Sequence, residues 1–119
     1  MKEMNQEELR TRTKIFALRI IKLATALPKR MEADIIGRQI LKSGTSVGAN
    51  YREATRARSK ADFISKIGIV EQEIDETLYW LELLAESKII DPIKIEDLIV
   101  ETKELLAIFV SSGKTAKER

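Results

Sequence analysis

Any chemistry in this chain has to come from carboxylates and cations, because its 119 residues include neither His nor Cys. That removes the commonest general base, the usual thiol nucleophile and the softer metal ligands together. Six carboxylates crowd one stretch: Glu71, Glu73, Asp75, Glu76, Glu82 and Glu86. A di-metal centre in a helical bundle would combine inward Glu residues with Glu-x-x-His pairs. Without His, the run reads as a solvated or interface acidic face. Gly44 to Gly48 has the look of a phosphate loop, yet the Lys-Ser/Thr such a loop needs is missing and no strand precedes it. Tyr79 and Trp80 could cage or stack a ligand; an anchor in the core or in a subunit interface is the better reading. No catalytic residue, metal ligand or cofactor is assigned.

The pattern with a functional reading is cationic. Arg38, Lys42, Arg52, Arg56, Arg58, Lys60 and Lys66 succeed one another through the middle of the chain. Arg38 and Lys42 are four apart, as are Arg52 and Arg56, so each pair shares a helix face. Residues 1–66 carry 15 basic and 7 acidic side chains, whereas 67–104 carry 3 and 11, beneath a net charge of only +2. Such asymmetry fits a polyanion partner or charge-steered self-assembly. The plain alternative is a solvated surface salt-bridged to the acidic quarter. The functional reading is a band for RNA or DNA, gripped by phosphate charge rather than base edges. Tyr51 is the only aromatic residue nearby to stack, so sequence-specific single-strand recognition is not indicated.

The elements that must carry these residues are helices, and the length suits one domain spanning 1–119. Apolar residues recur at three and four throughout, with no stretch of period two. The third helix, 59–88, is the central one: Ser59 and Asp62 start it, and Phe63, Ile67, Val70, Ile74, Leu78, Leu81 and Ala85 line one face. Near its end Leu78 to Leu81 and Leu83 to Ala85 leave little polar side, more apolar surface than one bundle should bury. Tyr79, Trp80, Leu83 and Leu84 are therefore expected at a subunit interface. The first helix, 5–27, is capped by Asn5 and ended by Pro28. The second, 32–56, keeps its stripe through Gly44 and Gly48, whose poor propensity has a purpose if another backbone comes close there. Asp91-Pro92 opens the fourth, 92–112, before a frayed polar tail, 113–119. Four amphipathic helices with short loops imply an all-α, antiparallel up-down-up-down four-helix bundle. With no Cys, no signal-peptide pattern and no long apolar run, a soluble cytoplasmic protein with no membrane role is expected.

Three blocks carry a family resemblance: Ser46-Val47-Gly48-Ala49-Asn50-Tyr51-Arg52-Glu53-Ala54, then Arg56 to Phe63, then Glu76-Thr77-Leu78-Tyr79-Trp80-Leu81-Glu82-Leu83-Leu84. The chain resembles, from about Leu27-Pro28 to the last helix, the four helix bundle proteins also called 23S rRNA intervening-sequence proteins, some of which are encoded within insertions in bacterial 23S rRNA genes. The resemblance implies a ring-like homopentamer without known enzymatic activity. A related branch, the accessory proteins of diversity-generating retroelements, forms basic pentameric barrels that bind nucleic acid and a reverse transcriptase; the present chain is only weakly basic by comparison. The expectation that results is a non-catalytic homo-oligomer binding RNA or DNA non-specifically through its basic surface, or alternatively a protein–protein adaptor. Asn50 and Glu53 are expected to be structural, bonding across helices near the glycine contact.

Overall fold

The computed structural model describes residues 4–119, which form four helices: α1 (Gln6–Ala26), α2 (Met31–Thr55), α3 (Lys60–Glu86) and α4 (Pro92–Glu118). Three of the four starts are made by side chains that accept from orphan N–H groups of the first turn. The Glu8 amide donates to Asn5 Oδ1 at 2.8 Å, the Asp62 amide to Ser59 Oγ at 3.0 Å and the Ile93 amide to Asp91 Oδ1 at 3.2 Å. The start of α2, at Arg30, has no such cap. Pro28 ends α1 by holding Leu27 in an extended conformation, φ −66° and ψ 147°. At the end of α3, Lys88 turns left-handed (φ 59°), and the Ile90 amide reaches back to the Leu84 carbonyl at 3.3 Å. This wrap satisfies carbonyls that the helix end would leave unpaired.

The apolar stripes converge on one core, in which Phe16, Ile20, Ile40, Ile67, Ile74, Leu105 and Phe109 are wholly buried. Helix α2 packs on α1 and α3, and α3 packs on α4. Along the α1–α2 seam Leu27 lies beside Gly37, Ile20 beside Gly44 and Thr13 beside Gly48, while Arg10 bonds Thr55. Positions rising along α1 thus meet positions falling along α2. The α2–α3 seam runs the same way, joining Ser43 to Thr77 and Glu53 to Lys66. The buried hydroxyls are all partnered: Thr77 donates to the Glu73 carbonyl at 2.7 Å and shares a 2.8 Å bond with Ser43.

The glycines of α2 are packing residues, as the unbroken stripe implied. A Cβ on Gly44 would stand 2.8 Å from both Cγ1 and Cγ2 of Ile20, and one on Gly48 would stand 3.2 Å from Thr13 Oγ1. Two expectations need correction. The polar tail is not frayed: α4 continues six residues past 112, to Glu118. Gly113 does not stop the helix, because its φ is negative and it sits buried in the α3–α4 contact. A Cβ there would meet Glu71 Oε1 at 3.0 Å and Ile67 Cγ2 at 3.3 Å.

The second correction concerns Leu84, which is fully enclosed by its own bundle and has no surface to offer a partner. It falls three residues after Leu81 and ten after Ile74, so it shares their inward stripe. The other three are placed differently: Tyr79 is 53% exposed, and Trp80 and Leu83 are half-buried. Trp80 rests partly on the core, donates from Nε1 to Glu76 Oε1 at 3.3 Å and meets the Tyr79 ring edge-to-face at 5.1 Å.

Candidate nucleic-acid interface

The cationic residues divide into three groups once they are placed on the helices. Arg52 lies in the last turn of α2, Arg56 is its C-cap, Arg58 lies in the bend and Lys60 opens α3. All four are exposed, and none has a carboxylate within ion-pair distance among the described residues. Local chemistry explains their position. Arg52 and Arg56 complement the negative end of α2, and the Arg56 amide caps the Glu53 and Ala54 carbonyls. The bend at Arg58 then sets the Ser59 cap that starts α3.

Arg38 and Lys42 lie apart from this corner, since the 14 residues from Arg38 to Arg52 span about 21 Å of helix. Arg38 is paired one turn back with Asp34 at 3.2 Å, an exposed contact that water screens heavily. Lys42 faces Glu73. Burial raises the Glu73 carboxyl above the usual range, Glu76 adds to the rise, and Lys42 and the Ser46 hydroxyl oppose it. Lys66 is committed elsewhere, bonding Glu53 across the α2–α3 seam at 3.1 Å. The proposed band is therefore a corner cluster of four free cations, with Arg38 and Lys42 along the helix and Lys66 withdrawn from it.

Tyr51 is not available for stacking. It is 3% exposed and packs edge-to-face on Phe109, with ring centroids 5.2 Å apart. Burial raises its phenol pKa, with the nearby Arg10 charge opposing the shift. Arg10 was not among the residues singled out from sequence. It joins this end of the bundle by donating to Thr55 Oγ1 at 2.8 Å, from 45 positions away in the chain. The signal that could reveal it is the α1–α2 register: matching Pro28 as the turn places the start of α1 opposite the end of α2. Of the two residues expected to bond across helices near the glycine contact, Glu53 does so, to Lys66. Asn50 instead donates to the Ser46 carbonyl of its own helix at 2.8 Å.

The carboxylates gather no metal site: no cluster of three or more potential ligands occurs among the described residues. One acidic pair has a different task. Arg12 of α1 bonds Glu101 of α4 through Nε at 2.8 Å and Nη2 at 2.6 Å, with Glu104 Oε2 at 2.8 Å from the same Nη2. The hydrogen bond from Arg12 holds the Glu101 carboxyl below the usual range, against the opposing effect of burial. This clasp ties the first helix to the last. No described helix is long and apolar enough to cross a membrane.

Comparison with known proteins adds a family. A family profile described as 23S rRNA-intervening sequence protein matches residues 6–111. The fold is similar to that of a protein of unknown function from the S23 ribosomal protein family of Bacteroides thetaiotaomicron, with a TM-score of 0.86 and 38% identity. That alignment covers 93% of the present chain and 99% of the other. No functionally curated protein matches the sequence.

Proposed function

The chain belongs to the 23S rRNA-intervening sequence protein family, and from that premise we propose a non-catalytic, homo-oligomeric bundle that binds RNA or DNA without sequence preference. The single observation that carries the nucleic-acid reading is the corner cluster of Arg52, Arg56, Arg58 and Lys60, exposed and without ion-pair partners among the described residues. Four free cations at one corner match the charge of a phosphate backbone. Tyr51 is buried and cannot stack on a base, so the grip is on phosphate charge rather than on base edges. The helices run up-down-up-down, a reading supported by the seam pairings and the short connections. Assembly is supported by the apolar surface left at Tyr79, Trp80 and Leu83, and a ring of five is what the family resemblance implies. That resemblance also makes a reverse transcriptase a protein partner to test. No reaction is assigned to a chain with neither His nor Cys, and the working compartment is the cytoplasm.

Fluorescence-anisotropy titration of a structured RNA and of duplex DNA at several salt concentrations tests the binding. Four phosphate contacts per subunit predict a log–log salt slope of roughly −3 to −4 on the duplex. Reversing Arg52, Arg56 and Arg58 to Glu should weaken binding at least tenfold and flatten that slope, with the helical circular dichroism unchanged. Wild-type binding that is absent at low salt, or indifferent to salt, refutes the reading.

One observation favours a second reading, a protein adaptor. Asp75, Glu76, Glu82 and Glu86 are exposed around Tyr79 and form no ion pair among the described residues. A pull-down from the native host separates the two readings, since a complex bridged by nucleic acid is lost on nuclease treatment and an adaptor complex survives.

A further inference from the structure

Among the apolar side chains that this chain leaves exposed, two patches carry opposite charges. The first is a groove of about 580 Å³ beside the α1–α2 connection, floored by Ile21, Leu27 and Leu41 with Met31 at its lip. Met31 is 77% exposed and extends the apolar surface of the groove. Lys29, Arg30 and Arg38 also line this groove. Lys29 has no ion-pair partner among the described residues, and Arg30 and Arg38 hold only the neighbouring Glu32 and Asp34, at 3.1 and 3.2 Å.

The second patch is the outer side of α3, where Tyr79, Trp80 and Leu83 stand among four exposed carboxylates. At 100° per residue, Tyr79, Glu82 and Glu86 point away from the stripe formed by Ile74, Leu81 and Leu84. The groove lies between α1 and α2, on a different face. The two patches therefore cannot meet within one subunit.

We propose that they are the two halves of one contact, in which the cationic groove of one copy receives the acidic, aromatic face of α3 from the next. This rests on the homo-oligomer reading and specifies its chemistry. Aromatic side chains seated in an apolar groove make strong interface anchors, and surrounding opposite charges set partner and register. A two-fold contact is disfavoured by the same charges, because groove on groove sets cations together and α3 on α3 sets carboxylates together. The contact is therefore heterologous, and repeated copies close into a ring or extend as a filament according to the angle between them.

The test uses two charge-reversed variants, Lys29→Glu with Arg38→Glu in the groove, and Glu82→Lys with Glu86→Lys on α3. Mass is read by light scattering coupled to gel filtration, and folding by circular dichroism. Each variant alone should fall from the wild-type mass toward the 13.5 kDa of one chain. One chain that carries all four reversals should recover the assembled mass, because each reversed groove then meets a reversed α3 face on the next copy, whatever the number of subunits. All four residues are exposed; if a reversal nonetheless costs helicity, Lys29→Gln with Arg38→Gln and Glu82→Gln with Glu86→Gln should lower the mass in the same direction. An assembled wild type that ignores both reversals, or whose mass stays low when all four reversals are combined in one chain, overturns this pairing and leaves the groove to another occupant, while the oligomer reading stands. A monomeric wild type overturns both.

Discussion

Replacing Gly44 with Ala tests the closest approach in the bundle. In an isolated helix the change would be favourable, because Ala exceeds Gly by about 1 kcal/mol in helix propensity. Here the new Cβ would lie 2.8 Å from Cγ1 and Cγ2 of Ile20 and 3.1 Å from its Cβ. Ile20 is wholly buried and, being β-branched in a helix, has essentially one rotamer, so it cannot swing aside. Either the α1–α2 seam widens or the core strains, which costs about 3 kcal/mol at the upper end of overpacking. Subtracting the propensity gain leaves a net loss of about 2 kcal/mol, or roughly 8 °C in melting temperature for a domain of this size. Gly68 is the matched control on α3, since a Cβ there would meet nothing within 4 Å. Gly68→Ala should therefore show the propensity gain of about 1 kcal/mol without the clash. Urea unfolding at one fixed protein concentration reads both, and Ile20→Ala added to Gly44→Ala should recover part of the clash term in a double-mutant cycle. If Gly44→Ala stabilises as much as Gly68→Ala, the packing account of Gly44 is wrong.

Three further perturbations probe single features. Lys88→Gly should stabilise the protein by roughly 1 kcal/mol in chemical denaturation, because Lys88 is held left-handed at φ 59° and glycine accepts that conformation without the Cβ clash. Thr77→Val should cost about 1–2 kcal/mol by removing the hydroxyl shared with Ser43 inside the core; a neutral result would mean that the pair is dispensable. The Arg12 clasp should make stability fall in acid. The Glu101 carboxyl titrates lower folded than unfolded, so its contribution is full above the ordinary Glu value of about 4.3 and fades as pH drops through the folded value. Glu73, shifted upward by burial, works in the opposite sense, weakening the fold above its folded pKa and ceasing to do so below the unfolded one. Glu101→Gln should remove about 1–2 kcal/mol near neutral pH and little near pH 2, as measured by urea unfolding at both; an equal loss at both would exclude the charged clasp as its cause.

Much of the architecture was legible because it depends on residues a few positions apart. Asn5, Ser59 and Asp91 each act on an amide two or three residues ahead, and Pro28 acts on its own neighbour, so the helix starts and the first break are local matters. The stripe through Gly44 and Gly48 was informative for a similar reason: periodicity on both sides outweighed two weak residues. Gly113 shows the limit of that logic. In sequence it has the form of a helix stop, yet what decides its role is whether Ile67 and Glu71 lie against it. Leu84 likewise stood level with Leu83 until the faces of α3 met their neighbours, because an overflowing apolar run does not say which direction is inward.

The amino-acid sequence alone determined that this chain is helical, where three of its four helices begin, and that His- or Cys-based chemistry is unavailable to it. Each of these follows from composition or from interactions within one helical turn. Tertiary structure decided which of the cations singled out from sequence are left unpaired among the described residues. Lys66 is drawn onto Glu53, Tyr51 is sealed against Phe109, and Arg10 is brought to Thr55 from a distant helix, leaving Arg52, Arg56, Arg58 and Lys60 at an open corner. Availability for binding depends on burial and on charges supplied by other helices, and these exist only once the faces have been paired.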